Sequence, residues 1–267
     1  MHAPATEILT RETLGSIAVL TLNRPAARNS LSEGLIAALH AALDGVRDDA
    51  RVRAVVIAAN GTVFSSGHDL KELTARRSDP DRGRAYFAKI MTSCSAMMQA
   101  IVRSPKPVVA AVQGVATAAG CQLVASCDLA VASEAATFAT PGVDIGLFCS
   151  TPMVALSRNV PRKHAMHMLL TGEPVSARRA EALGLVNSVV APGTEREAAI
   201  ALANTVAKKS AHTVKIGKEA FYRQLEMPLA EAYRYAAEVM TENMMARDAE
   251  EGINAFIEKR DPTWEDR

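Results

Sequence analysis

Cysteine is scarce in this chain of 267 residues, and its four thiols, Cys94, Cys121, Cys127 and Cys149, form no CxxC pair. This spacing argues against a zinc site and a dense disulfide framework, and it favours buried free thiols. His164 and His167 are three residues apart, but the chain has no HExxH motif and no acidic pair beside them. We therefore predict no metal site. A GxSxG elbow is also missing, so a hydrolase of that kind is not supported.

Excess charge and long apolar runs are missing too. The chain carries 30 basic and 29 acidic residues, for a net charge of +1. This balance argues against an electrostatically driven nucleic-acid or membrane partner. No apolar run approaches the roughly 18 residues of a membrane-spanning helix. The opening stretch MHAPATEIL has neither a secretory signal pattern nor an Arg-rich presequence. We expect no targeting segment, and a cytoplasmic protein if the source is bacterial.

One stretch, Pro105 to Ser133, combines apolar strands with a run of small residues. Val108 to Val112 reads as a buried strand, and Leu129 to Ala132 reads as another. Between them, Ala116 to Gly120 holds small residues that lead into an apolar helical turn. Small residues allow close approach, and a helix N-terminus offers unpaired N–H donors. The stretch therefore predicts a ligand-binding turn, although plain helix packing would use the same residues.

A second stretch, Asn60 to Leu73, has a similar plan. The apolar run Val52 to Ala59 precedes it and reads as a buried strand, and Gly67 comes just before the helix-like segment HDLKEL. Two such turns could each present one backbone N–H to the same carbonyl oxygen. This arrangement is an oxyanion hole, which stabilises negative charge on the oxygen of a thioester or ester.

These segments resemble the enoyl-CoA hydratase/isomerase (crotonase) superfamily. FSSGHDLKEL and QGVATAAGCQLVASCDLAVAS look like its two signature segments, and NRPAARNSL, TGEPVSARRAEALGLVNSVV and EGINAFIEKRDP match in the same order. The segment ATPGVDIGLFCSTP most resembles the subgroup called enoyl-CoA hydratase domain-containing protein 3. The resemblance implies an α/β fold, a right-handed ββα superhelix with a C-terminal helical region. The sequence alone indicates only an α/β protein with a helical C-terminus.

The resemblance also implies a division of the chain. Residues 1–192 would form the spiral core with an acyl-CoA pocket, and residues 193–267 would form helices for oligomerisation. The expected assembly is a homotrimer or a hexamer built from two trimers. Coenzyme A would be part of the substrate, so we expect no separate cofactor. Phe256 and Lys259 match positions that reach a neighbouring subunit's CoA in relatives, although ordinary helix packing and solvation also account for them.

Matching the motifs places the oxyanion donors on the backbone N–H groups of His68 and Ala119. Relatives commonly have glycine at the position of Ala119. Alanine is tolerated there if its φ angle is negative. The segment from His68 through Asp69 and Leu70 to Lys71 should line the thioester and adenine region. The N-terminal loop residues Ala26, Ala27 and Arg28 resemble a CoA-contacting loop. Arg28 and Lys71 are candidate phosphate contacts, but both could equally be solvated surface residues.

Two departures from the family pattern concern proton transfer. Hydratases use two glutamates, and this chain has Gln122 and Gly142 at those positions. Glutamine cannot accept a proton at neutral pH, and glycine has no side chain. Ser150 stands where dienoyl-CoA isomerases carry an aspartate. Because a positioned acid–base group contributes 10²–10⁴-fold in rate, we expect weak hydration.

Other groups could act instead. Asp144 lies two residues beyond Gly142 and would share its side if the segment is extended, so it is a candidate base. The side chain of His68 could transfer protons, and Cys149 could be a nucleophile or simply a buried thiol. We expect an enzyme of acyl-CoA metabolism, of the lyase or isomerase class. The alternatives are an acyl-CoA-binding protein without catalysis and an RNA-binding protein, for which Lys208 and Lys209 form only a short basic pair.

Overall fold

The computed structural model describes residues 7–267. Residues 1–6, which hold most of the stretch inspected for a targeting signal, lie outside the described residues. The strands are β1 Leu9–Leu14, β2 Ile17–Leu22, β3 Ala54–Ala59, β4 Val63–Ser65, β5 Val108–Val112, β6 Val115–Thr117, β7 Leu129–Ser133, β8 Thr137–Ala139, β9 Val175–Ser176 and β10 Ser188–Val190. The helices are α1 Glu33–Arg47, α2 Leu70–Ala75, α3 Arg84–Val102, α4 Ala119–Ser126, α5 Pro152–Asn159, α6 Arg162–Thr171, α7 Ala177–Ala182, α8 Glu195–Ala207, α9 Ala211–Gln224, α10 Leu229–Met244 and α11 Arg247–Glu258.

The strands form two sheets. The larger sheet has the order β1-β2-β3-β5-β7-β10, in which β1 is antiparallel to β2 and every other pair is parallel. The smaller sheet has the order β4-β6-β8-β9, with β4, β6 and β8 parallel and β9 antiparallel to β8. The smaller sheet therefore has three neighbouring strands whose carboxyl ends lie along one edge.

The chain passes repeatedly from the larger sheet to the smaller one and then into a helix. The units are β3–β4–α2, β5–β6–α4, and β7–β8 followed by a 3-10 turn and α5. Parallel strands need a crossover connection, and these helices supply it. The ββα superhelix that the sequence resemblance implied is confirmed.

Alternation along the central strands divides the core into two layers. On β3, Val55 and Ile57 face one layer, which also contains residues of α1, α3 and α4. Val56 faces the other layer, where Ala199 and Ala203 of α8 pack on the sheet. Strands that are buried on both faces read as continuous apolar runs, which is why β2, β3 and β5 were predictable. The first helix after residue 192, α8, therefore packs on the larger sheet. The boundary predicted between the spiral core and the C-terminal helical region, at residues 192 and 193, stays a prediction.

A buried ion pair ties α9 to the core. The Nζ atom of Lys218 donates to Oδ2 of Asp128 at 2.6 Å and to the carbonyl oxygens of Ile101 and Lys106, each at 3.0 Å. The hydroxyl of Tyr222 donates to Oδ1 of Asp128 at 2.9 Å. Burial lowers the pKa of Lys218, and the charge of Asp128 opposes that effect. These contacts hold α9 against the starts of β5 and β7.

Most predicted elements are present, and the differences involve short segments. The predicted cap of α1 is confirmed, because Oγ of Ser32 accepts the N–H of Leu35 at 3.2 Å. The strand predicted over 185–190 begins only at Ser188. Strands β4, β6 and β9 were not predicted, since two or three residues are too few to show a period. No helix in residues 7–267 is both long enough and apolar enough to cross a membrane.

Candidate active site

The site lies where the three parallel strands of the smaller sheet end. Strand β4 delivers Gly67 and His68, β6 delivers Ala118 and Ala119, and β8 delivers the turn that contains Gly142. Loops at the carboxyl ends of parallel strands are a common location for binding groups in α/β proteins. The sheet therefore brings together the two segments that the sequence singled out.

The first turn leaves the backbone N–H of His68 without an acceptor. The N–H of Leu31 donates to the carbonyl of Gly67 at 2.7 Å, and the N–H of Asp69 donates to the carbonyl of Leu31 at 3.3 Å. His68 lies between these two bonds, and its own N–H donates to no atom of residues 7–267. Because successive residues of an extended segment alternate in direction, this N–H points away from Leu31. His68 precedes α2 by two residues, so this donor is not part of the helix, contrary to the helix start expected there.

The second turn supplies another N–H without an acceptor, on Ala119. The preceding residue, Ala118, donates its N–H to the carbonyl of Ala139 at 2.9 Å, whereas Ala119 has no acceptor within the described residues. Ala119 is the first residue of α4, and its φ angle is not positive. The condition set above for an alanine at this position, a negative φ angle, is therefore met. The strained residue is Ala118, with φ 49° and ψ −119°. This conformation favours glycine and costs roughly 1–3 kcal/mol in other residues.

The two turns touch through Gly67, which has φ +82°. A Cβ atom at Gly67 would lie 2.9 Å from Cβ of Ala118 and 3.1 Å from the backbone nitrogen of Ala119. A Cβ at Gly120 would similarly lie 2.3 Å from the carbonyl oxygen of Ser65. Glycine at these positions therefore lets the two turns that carry these N–H groups approach each other closely.

The positions of the two family glutamates offer no carboxylate. Gln122 is 5% exposed, and its Oε1 atom has no hydrogen-bond partner among the described residues. A Cβ atom at Gly142 would lie 2.6 Å from the carbonyl oxygen of Leu147 and 2.9 Å from Sγ of Cys149. The segment that follows Gly142 thus fills the space in which a side chain would begin. This position could not hold a glutamate without movement of the backbone at Leu147.

The predicted base Asp144 rests on a premise that the structure contradicts. Pro141–Ile145 is a 3-10 turn, so residues two apart do not share a side as they would in an extended segment. The carboxylate of Asp144 lies over Gly172, whose added Cβ would meet the two carboxylate oxygens at 3.0 and 3.2 Å. Asp144 is exposed, and so is Ser150, whose hydroxyl donates to the carbonyl of Phe148 at 3.3 Å.

The N-terminal loop lies beside the first turn. Ala26 and Ala27 belong to the 3-10 turn Pro25–Ala27, and the carbonyl of Arg28 accepts the N–H of Ser66 at 3.1 Å. The guanidinium of Arg28 and the ammonium of Lys71 are exposed and have no partner within residues 7–267. Two exposed basic side chains therefore stand near the turn that contains His68, and their contact with phosphates stays a prediction.

Asp69 has a different environment from the one expected of a ligand contact. Its Oδ2 accepts from Arg24 at 3.1 Å and from the hydroxyl of Ser30 at 3.0 Å, and its Oδ1 accepts the N–H of Lys71 at 3.2 Å. Burial would raise the pKa of Asp69, but the bonds from Ser30 and Arg24 bring it below its usual value. The carboxylate caps α2 and fixes the loop against it. Leu70, the next residue, is 50% exposed and is free to meet a ligand.

Sequence reasoning missed Asn29, which holds the loop from within. Asn29 is fully buried with φ 49°, a conformation that asparagine tolerates. Its Nδ2 donates to the carbonyls of Asn60 at 2.8 Å and Val63 at 2.7 Å, and its Oδ1 accepts the N–H of Arg24 at 2.8 Å. An amide that satisfies three backbone groups cannot be recognised from its spacing alone, although it lies within the NRPAARNSL motif.

The imidazole of His68 is half-buried, and both of its ring nitrogens are buried without a hydrogen-bond partner. Burial lowers the pKa of His68, and the nearby Leu31 carbonyl opposes this only in part. Burial likewise raises the pKa of Cys149, against an opposing bond from the Gly142 backbone, and raises that of Cys121 to about 12. These two cysteines are therefore neutral thiols at pH 7, which disfavours a nucleophilic Cys149.

The C-terminal residues predicted to reach a neighbouring subunit are exposed in the single chain. Phe256 is 85% exposed on α11, and Lys259 follows that helix with φ 57°. Their contact with a neighbour's ligand stays a prediction. Within residues 7–267, no group of three or more His, Cys, Asp or Glu side chains is arranged to hold a metal ion.

Comparison with known proteins identifies the family. A family model described as enoyl-CoA hydratase/isomerase matches residues 12–267. The human enoyl-CoA hydratase domain-containing protein 3, mitochondrial, is 47% identical over 251 residues, which cover 94% of this chain and 81% of the human protein. A putative enoyl-CoA hydratase of Thermus thermophilus is 39% identical over 250 residues, covering 94% of this chain and 98% of that protein.

Solved structures agree with this assignment. The crystal structure of an enoyl-CoA hydratase from Mycobacterium smegmatis has a TM-score of 0.92 and 50% identity, covering 97% of this chain and 99% of that one. The crystal structure of human enoyl-CoA hydratase domain-containing protein 3 also has a TM-score of 0.92, with 46% identity over 97% of this chain and 100% of that one. The chain belongs to the enoyl-CoA hydratase/isomerase family, and it is similar to the domain-containing protein 3 group within it.

Proposed function

We propose that this chain binds an acyl-CoA thioester and polarises its carbonyl between the backbone N–H groups of His68 and Ala119. The observation that carries the proposal is the pair of N–H donors without acceptors, on two turns that touch through Gly67. Such donors stabilise the charge that develops on a thioester oxygen, and each contributes roughly 3–4 kcal/mol in known enzymes. The N-terminal position of Ala119 in α4 adds the favourable end of the helix dipole.

The coenzyme A portion would bind across the neighbouring loops. Arg28 and Lys71 would pair with its phosphates, since both cations are exposed and unpaired within the described residues. Ala26 and Ala27 present little side-chain bulk, and Leu70 offers an exposed apolar surface beside them. Coenzyme A enters as part of the substrate, and the proposed reaction belongs to acyl-CoA metabolism.

Ordinary hydration would be weak in this protein. Gln122 can orient a group by hydrogen bonding but cannot take a proton, and the space at Gly142 is filled by the backbone of Leu147 and by Cys149. The same observation favours a second candidate function, an acyl-CoA-binding protein that does not turn its ligand over. Turnover of an acyl thioester distinguishes the two.

The proposed assembly is a homotrimer or a hexamer. Helices α9, α10 and α11 expose many large apolar side chains in the single chain: Phe221, Leu225, Leu229, Tyr233, Met240, Met244, Ile253, Phe256 and Ile257. Monomeric soluble proteins seldom expose contiguous apolar patches of that kind. Burial against other copies of the chain would remove this surface from water.

The test is a calorimetric titration with butyryl-CoA and with coenzyme A. We expect both to bind, and we expect Arg28→Ala with Lys71→Ala to weaken binding several-fold, because two phosphate contacts are lost. Lys209→Ala, which removes an exposed cation elsewhere, serves as the matched control. Absence of binding by the wild-type protein would refute the proposal.

A parallel assay with crotonyl-CoA follows loss of the conjugated enoyl-thioester absorbance. Slow or absent hydration is the expected result. Rapid hydration would mean that another group replaces the missing glutamates at this site.

A further inference from the structure

The two nitrogen atoms of the His68 imidazole ring lack a hydrogen-bond partner of ordinary geometry within the described residues, although the Leu31 carbonyl lies near the ring. Both are buried, and neither makes a hydrogen bond within residues 7–267. Buried polar groups in folded proteins are nearly always hydrogen-bonded, and an unsatisfied group costs roughly 1–3 kcal/mol. A buried imidazole without a partner, at the end of a strand that forms a binding turn, indicates that its partner arrives with the ligand.

Covalent geometry places this ring close to the reacting atoms. The imidazole belongs to the residue whose backbone N–H is the first oxyanion donor, so its ring nitrogens lie within about 6 Å of that amide nitrogen. A thioester oxygen bound by the N–H would lie about 2.9 Å from the same nitrogen. The α-carbon of the acyl group is two bonds from that oxygen. These lengths allow a ring nitrogen to approach the α-carbon of a bound thioester.

The other carboxylates near the two turns have contacts that the His68 ring lacks. The carboxylate of Asp69 is engaged by Arg24, Ser30 and the start of α2. Glu72 accepts the N–H of Glu33 at 2.9 Å at the start of α1. Asp144 is exposed, and its carboxylate lies over Gly172.

Uncharged and cationic groups do not serve as the base either. Cys121 and Cys149 are neutral thiols, because burial raises the pKa of each. Gln122 has no proton to exchange near pH 7. Arg28 and Lys71 are exposed basic side chains, which suits the phosphate-binding role proposed for them.

We propose that the His68 imidazole is the acid–base group that takes and returns the α-proton of the bound acyl thioester. This inference rests on the proposed function. In the forward step the α-C–H bond breaks, and the proton moves to an unprotonated ring nitrogen. The electron pair of that bond forms the C=C bond of an enolate, whose negative charge resides on the thioester oxygen between the His68 and Ala119 N–H groups. In the reverse step the imidazolium returns a proton to the α-carbon.

The electrostatics favour this arrangement. Burial keeps the imidazole neutral at pH 7, so it is ready to accept a proton. The imidazolium that forms is then paired with the enolate, and the two opposite charges attract each other. Because the pKa of His68 lies below 6.5, the rate should be constant above about pH 6.5 and should fall as the pH drops through the lowered value.

The experiment measures exchange of the α-protons of butyryl-CoA into D₂O by mass spectrometry, with calorimetric binding of the same ligand in parallel. His68→Ala is a clean variant, since it removes the ring and keeps the backbone N–H. We expect its exchange rate to fall by about 10²–10⁴-fold, with butyryl-CoA binding changed only a few-fold. His68→Gln, which keeps polar atoms without a group that titrates, should behave in the same way. His40→Ala on α1, where the ring pairs with Asp44, is the matched control.

The outcomes separate the two proposals. If wild type does not bind butyryl-CoA, the proposed function and this inference both fail. If wild type binds but does not exchange the α-protons, or if His68→Ala binds and exchanges at the wild-type rate, the inference fails while the proposed function stands. Loss of exchange in Asp144→Asn with retention in His68→Ala would assign the base to Asp144 instead. Loss of the pH dependence of the exchange rate in His68→Gln supports the assignment of the base to the His68 ring.

Discussion

At the scale of single residues, the small residues at the two turns of the candidate site determine how closely the turns approach each other. Gly67 and Gly120 let one turn lie against the other, and Ala118 holds a conformation that favours glycine. A side chain at Gly67 or Gly120 would push the turns apart, because its Cβ would lie 2.9 Å from Cβ of Ala118 or 2.3 Å from the carbonyl oxygen of Ser65. The proposed carbonyl contacts therefore depend on backbone atoms, which small residues at the two turns leave accessible.

One prediction concerns position 142, where this chain has glycine in place of the family glutamate. Gly142→Glu should not restore hydration of crotonyl-CoA, alone or with Gln122→Glu, because the new Cβ would meet the carbonyl of Leu147 at 2.6 Å. Even Gly142→Ala should destabilise the protein by about 1–3 kcal/mol through overpacking. Urea unfolding and the enoyl-thioester absorbance assay measure the two effects.

Gly217→Ala in α9 is the control for this substitution, because a Cβ there would meet nothing within 4 Å. It should stabilise the protein by about 0.5–1 kcal/mol, as alanine does in a helix interior. Efficient hydration by the Gln122→Glu, Gly142→Glu protein would show that the Leu147–Cys149 segment moves aside readily.

At this scale the sequence supported some assignments and not others. The oxyanion positions came from a family resemblance, because no periodicity distinguishes His68 or Ala119 from other turn residues. The free N–H groups and the filled space at Gly142 depend on contacts with residues distant in the chain. The role of Asp144 was inferred from an extended segment, and the 3-10 turn removes that premise.

At the scale of elements, the carboxyl ends of β4, β6 and β8 assemble the site, and α9 is fixed to the core. Long periodic elements such as α1, α3 and the buried strands were predictable, since their apolar stripes extend over several turns or a whole strand. Strands β4 and β6 are too short for that signal, although they lead into both turns of the candidate site. The Lys218–Asp128 pair joins residues 90 positions apart, which sequence spacing cannot reveal.

Removal of the Lys218 ammonium should destabilise the protein strongly. Lys218→Met leaves the carboxylate of Asp128 buried without its cation, which typically costs about 3–5 kcal/mol. Urea unfolding measures the change, and Lys218→Met combined with Asp128→Asn should recover part of it. Lys215→Met, at an exposed position on the same helix, is the control. A loss no larger in Lys218→Met than in Lys215→Met would show that the pair contributes little to anchoring α9.

At the scale of the whole molecule, the exposed apolar surface predicts self-association. On α10, Leu229, Tyr233, Met240 and Met244 recur at helical spacing along one stripe, and each is at least half exposed. A stripe of this kind on a helix at the end of the chain is well placed to pack against another copy. The proposed homotrimer or hexamer would bury this stripe.

Charged residues on this stripe should break the assembly. Tyr233→Glu with Met240→Glu should shift the protein toward a monomer in light scattering after size-exclusion chromatography, because burying two carboxylates in an apolar interface is unfavourable. Glu238→Lys, on the other side of α10, should leave the mass unchanged. A wild-type protein that is monomeric at micromolar concentration would contradict the proposed trimer or hexamer.

The central claim is that two backbone N–H groups polarise the carbonyl of an acyl-CoA thioester. The most direct measurement is the infrared stretching frequency of that carbonyl in bound butyryl-CoA carrying ¹³C at the carbonyl carbon. We predict a frequency clearly below that of the free ligand in water, because two donors weaken the C=O bond. In Gly67→Ala, whose added Cβ would crowd Ala118 and the Ala119 nitrogen, most of this shift should disappear while the coenzyme A portion still binds. A wild-type complex in which the carbonyl absorbs at the same frequency as in water would contradict the account.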